Sequence, residues 1–118
     1  MRIISGSFKG KKILEPKDIK TRPLKDLTKE SIFNILNHSN KFDIELDNSN
    51  ILDLFSGVGS FGIECLSRQA KFVTFVENYP GVIQILKSNL AKLKNVFNFN
   101  IVEKDILNEL DYKNLNLT

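Results

Sequence analysis

Asp53, Gly57, Gly59 and Glu77 are the residues whose types and spacing could do chemistry. They begin in the stretch Ile51 to Glu64, ILDLFSGVGSFGIE, where a short apolar run ends in a carboxylate and passes through Phe55 into a loop with glycines at 57, 59 and 62. A glycine loop between a strand and a helix lets backbone N–H groups approach a ligand, and the helix N-terminus favours negative charge. Glu77 lies twenty positions after Gly57 at the end of a second apolar run. A carboxylate there can accept hydrogen bonds from a ribose diol. Asp105, at the end of a third run, could address an adenine edge itself or through a neighbouring backbone N–H, or could simply cap a strand end.

The elements that must position these residues follow from periodicity. Ile51 to Phe55 reads as a strand, and a helix is expected over about Ser60 to Ser67. Lys71 to Glu77 is nearly continuously apolar, as in a strand buried on both faces of a parallel sheet. Asn78 and Pro80 can start a helix in which Val82, Ile83, Leu86, Leu90 and Leu93 repeat at helical spacing. Phe97, Phe99 and Ile101 alternate with Asn98 and Asn100, which suits a strand nearer the sheet edge. The resulting βαβαβ order makes a right-handed doubly wound unit that gathers Asp53, Glu77 and Asp105 on one edge. This spacing fits both a dinucleotide fold and an S-adenosylmethionine fold.

Upstream, residues 1 to 14 carry apolar pairs, Ile3-Ile4 and Ile13-Leu14, around Gly6, Phe8 and Gly10, a plausible β-hairpin. Its centre presents Lys9, Lys11 and Lys12 beside Phe8, an aromatic that could stack on a base or belong to the core. Residues 15 to 23 read as a loop between Pro16 and Pro23. A helix should follow to about Asn37, with Leu24, Leu27, Ile32, Ile35 and Leu36 on its covering face. His38 to Asn50 reads as a linker, with His38 at a helix terminus, and Asn108 to Thr118 is weakly patterned.

Length and composition set the outer bounds. At 118 residues the chain supports one modest core. Its net charge of +3 is unevenly placed: residues 1 to 31 carry +5 and the remainder −2, so a polyanionic partner, if any, should meet the N-terminal arm. No apolar run approaches the ~20 residues that span a bilayer, and the start lacks a signal-peptide pattern, so no membrane partner and a cytoplasmic setting are expected. Cys65 and His38 alone cannot build an ordinary zinc site, so no metal is expected.

Together these stretches carry a resemblance. Asp53 to Glu64 with Leu66-Ser67-Arg68 resembles the first motif of class I methyltransferases, in the form used by the bacterial small-subunit ribosomal RNA guanine-N2 methyltransferases of the RsmD type. Arg2-Ile3-Ile4, Gly6, Lys9-Gly10-Lys11, Thr21-Arg22-Pro23, Asp26, Glu30, Phe33 and Asn34 are similar to that family's N-terminal arm and helix, and Phe75-Val76-Glu77 and Asp105 to its second and third motifs. The resemblance implies an α/β fold: a partial Rossmann-like parallel sheet of strands 1 to 3 in residues 41–118, preceded in residues 1–40 by an RNA-facing hairpin and covering helix. It implies S-adenosylmethionine as cofactor. Asp53, Gly57 and Gly59 would line its methionine and ribose portion, Glu77 would bind the ribose hydroxyls and Asp105 the adenine, with Phe55, Asn78 and Ile106 also among the cofactor-binding residues. Thr21 and Arg22 would sit near the cofactor. Arg2, Lys9, Lys11 and Lys12 would face ribosomal RNA or the small ribosomal subunit.

The sequence also departs from that family. Leu27 stands where the family usually has an arginine, and Gln69 replaces a glycine after Ser67-Arg68. The family's catalytic Asp/Asn-Pro-Pro-aromatic motif is absent, since the prolines are Pro16, Pro23 and Pro80, and no residue takes its place. Positioning by such a motif can supply ~7–11 kcal/mol of a barrier. The resemblance therefore implies a methyltransferase of small-subunit ribosomal RNA represented by its cofactor-binding half, the alternative being a non-catalytic cofactor- or RNA-binding fragment. A nicotinamide-dependent oxidoreductase half is a third reading, opposed by Asp53 before the loop and by the basic arm. The first strand should expose an apolar edge, either the mark of a truncated fold or a surface for a homo-oligomer.

Overall fold

The structure, a computed structural model, describes residues 1–15, 26–38, 46–54 and 56–104, with the side chains of the first helix described from Thr28 to Leu36. Its elements run α1 (Asp26–His38), β1 (Asn50–Asp53), α2 (Ser60–Ser67), β2 (Phe72–Val76), α3 (Pro80–Ala91) and β3 (Phe99–Val102). All three strands are parallel in the order β1-β2-β3. Asp53 is in register with Phe75, and Val76 with Val102, so the carboxyl ends of the strands share one edge.

The middle strand explains the core. Val73, Thr74, Phe75 and Val76 are buried, and helix and sheet side chains close over them. α2 is buried along nearly its whole length, which a lone amphipathic helix on a sheet is not. Its second cover is the N-terminal arm. Ile3 and Ile13 from the arm and Phe33 from α1 join Ile63, Cys65 and Leu66 in one cluster.

The arm is an arch with one antiparallel bridge, Arg2 to Lys12, extended by Ile3 N–H to Lys11 O (2.9 Å) and Ile13 N–H to Met1 O (2.8 Å). Residues 5 to 10 form turns that lie on the C-terminal end of α2. Gly6 is required there: its φ is +86°, and a Cβ would run into the backbone carbonyl of Ser67. Phe8 packs against the core and carries Lys11 Nζ 5.8 Å from its ring centroid, so its role is structural and not that of an exposed stacking platform.

Several boundaries differ from the sequence expectation for identifiable reasons. β1 stops at Asp53, because Ser56 turns the chain by donating its N–H to Val76 O (3.2 Å) and its hydroxyl to Asp53 O (2.9 Å). β3 starts at Phe99, where Asn98 anchors the entry through its side chain to Ala70 O (3.0 Å) and Lys71 O (3.1 Å). Phe97, expected to alternate into the strand, is 84% exposed. Among the described side chains of α1 the buried positions are Lys29 and Phe33, one helical row, while Ile35, expected on the covering face, is 55% exposed. The loop from Pro16 to Pro23, most of the linker after His38 and the tail from Asn108 lie outside the described residues.

Candidate functional site at the glycine loop

The loop from Ser56 to Gly59 joins the end of β1 to the start of α2. Gly59 caps α2 with φ 93°, in the left-handed region, and a Cβ there would meet Leu86 Cδ1 at 2.5 Å and Ile63 Cδ1 at 2.9 Å. Glycine is demanded twice at this position, by backbone geometry and by packing. The loop then closes on itself through Gly59 N–H to Ser56 O (2.9 Å) and Ile63 N–H to Gly59 O (2.8 Å).

Glu77, at the end of β2, reaches back to this loop. Its Oε1 accepts the N–H of Gly57 at 2.9 Å, and its Oε2 accepts the N–H groups of Asn78 and Tyr79 at 3.2 Å each. The carboxylate therefore sits between the N-termini of α2 and α3, where both helix dipoles favour a negative charge. A carboxylate offers about four lone-pair positions, so three backbone donors leave capacity for a further hydroxyl donor. Asp53 ends the neighbouring strand at the same edge. Phe55, Asp105, Ile106, Thr21 and Arg22 lie outside the described residues, and Arg2, Lys9, Lys11 and Lys12 are exposed on the arch.

Behind the loop is a polar network that periodicity did not single out. Lys29 from α1 and Glu64 from α2 are both fully buried and pair at 3.3 Å. Lys29 Nζ also donates to Arg2 O (3.0 Å) and Ser60 Oγ (3.1 Å). Glu64 accepts the N–H groups of Ile4 (2.9 Å) and Ser5 (3.0 Å) and pairs with Arg68 Nε (2.9 Å). The Arg68 guanidinium in turn lies 4.3 Å from the Phe33 ring centroid, and Phe33 stacks on Phe61 at 5.0 Å. One sequence signal was available: Glu64 and Arg68 are an i, i+4 pair at the C-terminal end of the predicted helix. Nothing local marks Lys29 as their partner.

Two further side chains fasten the arch. Ser67 Oγ donates to Ser5 O (2.5 Å) and accepts Phe8 N–H (3.0 Å). The buried Asn89 of α3 accepts Leu14 N–H at 2.8 Å and donates to Leu14 O at 3.2 Å and Val58 O at 2.9 Å, joining arch, helix and glycine loop. Cys65 lies within this shell. Burial pushes its thiol up to about 12, Asp53 and Glu64 add to the rise, and Arg68 opposes it, so the sulfur is held neutral and unreactive.

The family model described as Conserved hypothetical protein 95 matches residues 1–116. The chain belongs to this family.

Relatives of this chain include the Ribosomal RNA small subunit methyltransferase D of Haemophilus influenzae, 43% identical over 94 residues, which are 80% of this chain and 46% of the relative. The protein of the same name from Escherichia coli is 38% identical over 94 residues, 80% of this chain and 44% of the relative. A solved structure described as "Putative methyltransferase yhhF from Escherichia coli" superposes with a TM-score of 0.73 at 33% identity, covering 89% of this chain and 52% of that one. This family member thus spans about half the length of the curated relatives it matches. Its three parallel strands and flanking helices are the Rossmann-like α/β arrangement expected from the sequence.

Proposed function

We propose that the chain is the cofactor-binding and RNA-facing part of an S-adenosylmethionine-dependent methyltransferase of small-subunit ribosomal RNA, acting at guanine N2. The observation that carries this reading is the Glu77 carboxylate poised against Gly57 N–H at the carboxyl edge of the sheet. The names of the curated relatives point to the same chemistry. S-adenosylmethionine, when bound, supplies an electrophilic methyl group on sulfonium sulfur. On this reading Glu77 accepts the ribose hydroxyls beside Asn78, and Asp53, Phe55, Gly57 and Gly59 line the methionine and ribose portion. Asp105 and Ile106 address the adenine, and Thr21 and Arg22 lie near the cofactor. Residues 1–40 form the RNA-facing region and 41–118 the cofactor-binding region, in a cytoplasmic setting. Among the described residues no helix is long and apolar enough to cross a membrane.

The experiment is calorimetric titration of the folded chain with S-adenosylmethionine, with NADH as comparison. Binding of the methyl donor and not of NADH is expected, and no heat at millimolar S-adenosylmethionine sinks the reading. A second reading, a non-catalytic cofactor- or RNA-binding fragment, is favoured by one feature, the lack of any Pro-Pro pair in the sequence. Labelled methyl transfer to small-subunit RNA separates the two, because a fragment without a guanine-positioning motif gives none. β1 is an outer strand among the described residues, and its edge is the surface proposed for a homo-oligomer. A stable monomer by light scattering rejects that part.

A further inference from the structure

Away from the sheet's carboxyl edge, the arch and α3 enclose a cleft of ≈ 290 Å³ lined by Ile3, Lys11, Lys12, Ile63, Asn89 and Lys92, among others. Its walls come from distant parts of the chain: two exposed lysines on the arch and one, also exposed, at the C-terminal end of α3. The floor is apolar, from Ile3 and Ile63. Among the described residues no carboxylate lines it, and neither Lys12 nor Lys92 has an acidic partner. Lys11 Nζ donates to Lys92 O at 3.5 Å, which ties the two walls together and sets a cation at the negative end of the α3 dipole. Asn89, bonded to both Leu14 and Val58, fixes the arch relative to α3, so the spacing of the lysines is set by buried contacts.

We propose that this cleft seats the sugar-phosphate backbone of single-stranded RNA beside the segment that carries the target nucleotide. The proposal rests on the RNA-directed reading above. Three lysines lining one cleft, with no carboxylate among its described lining residues, complement phosphates, which dominate affinity for nucleic acid. The site is recessed, whereas a lipid surface requires apolar side chains that protrude. α3 has 12 residues, so its Lys92 end stands about 18 Å along the helix axis from the end beside Glu77. The lysines therefore grip the strand away from the methyl-donor edge. Lys92 belongs to this surface although the basic arm ends far earlier in the sequence.

The test is fluorescence anisotropy of the chain with a labelled single-stranded oligonucleotide of small-subunit ribosomal RNA, over a range of salt concentrations. The variants are Lys12→Ala/Lys92→Ala and, as control, Lys71→Ala, an exposed lysine outside the cleft. Each lost phosphate contact should lower the salt slope by about 0.7, so the double variant should lose about 1.4 in slope and bind about 25-fold more weakly at 0.1 M salt, with Lys71→Ala unchanged. Calorimetric affinity for S-adenosylmethionine should be the same in all three proteins. If the double variant keeps the wild-type slope, the cleft proposal is overturned while the reading beneath it stands; if the wild-type chain binds no RNA, the RNA-directed part of that reading fails together with the cleft. Poly-glutamate of matched charge binding as tightly as the RNA overturns it too. Loss of cofactor binding by the wild-type chain is a separate failure, that of the underlying reading.

Discussion

The carboxylate of Glu77 accepts the amide of Gly57 at 2.9 Å, so the end of β2 holds the loop that follows β1. The same side chain proposed to receive the ribose is thus already part of the loop's structure. Hydrogen bonds to a charged acceptor contribute about 1.5–3 kcal/mol each. Glu77→Ala should therefore weaken S-adenosylmethionine binding by more than tenfold in calorimetry and also speed hydrogen exchange at the Gly57 amide. Glu77→Gln, which keeps an acceptor oxygen, should fall between. Normal Gly57 protection in the alanine variant contradicts the coupling.

Lys29 and Glu64 have no contact with water and depend on each other and on Arg68. Removing one member of a buried ion pair costs about 3–5 kcal/mol, because the survivor is left charged and buried. Lys29→Met should lie near the lower figure, since Glu64 keeps Arg68 and two backbone N–H groups. Glu64→Leu strands two cations and should cost more. The double variant should be less damaging than the sum of the singles, as urea titration can show.

Asn89→Ala removes the bonds to Leu14 and Val58 from a side chain that is 3% exposed. Burying the freed backbone groups without partners should cost about 2–3 kcal/mol. Protease cleavage within residues 1 to 14 should accelerate in this variant before the sheet is affected. Equal loss of protection in arch and sheet would show that the clamp is not local.

Cys65 supplies a pH signature. Its thiol is pushed from 9.0 to about 12 in the fold, so between those values the unfolded chain has released a proton that the folded chain retains. Stability from this group is complete below about pH 9 and is lost as pH rises towards 12, on the order of 4 kcal/mol over the window. Cys65→Ala should flatten this part of the alkaline denaturation curve. In the wild-type chain the thiol should react with a disulfide reagent only after unfolding.

The turn after α2 tests a departure from the family pattern. Gln69, which the sequence resemblance sets against a glycine, adopts φ 76°. The left-handed conformation costs a non-glycine residue about 1–2 kcal/mol. Gln69 recovers part of this by donating Nε2 to Ser7 Oγ and to Ser67 O. Gln69→Gly relieves the strain and loses those contacts, so thermal unfolding should shift by less than about 1 kcal/mol in either direction.

These particulars show where the sequence is readable. The parallel strands and α2 were legible because their signals are local: an apolar run for Phe72–Val76, and a glycine loop followed by helical spacing for Ser60–Ser67. Glu77 was legible because its distance from Gly57 is set by one βαβ crossover. Lys29, Ser67 and Asn89 were not, since each acts on a partner far along the chain, as Lys29 does on Ser60. Ile35 misled for the converse reason. Its apolar character suggested burial, but the row chosen by the fold was the one that lets Phe33 stack on Phe61 and Lys29 reach Glu64.

The clamp between Leu14 and Asn89 spans 75 residues, and that between Ile4 and Glu64 spans 60. At about 5–20 residues per second of synthesis, the first fourteen residues wait roughly 4–15 seconds for Asn89 to be made. During that interval Ile3 and Ile13 have no core to enter. Lys9, Lys11 and Lys12 lie between these two apolar residues, and like charges beside an exposed apolar segment disfavour its association, so the charges proposed to meet RNA in the finished protein also suit an arm that is made before its core.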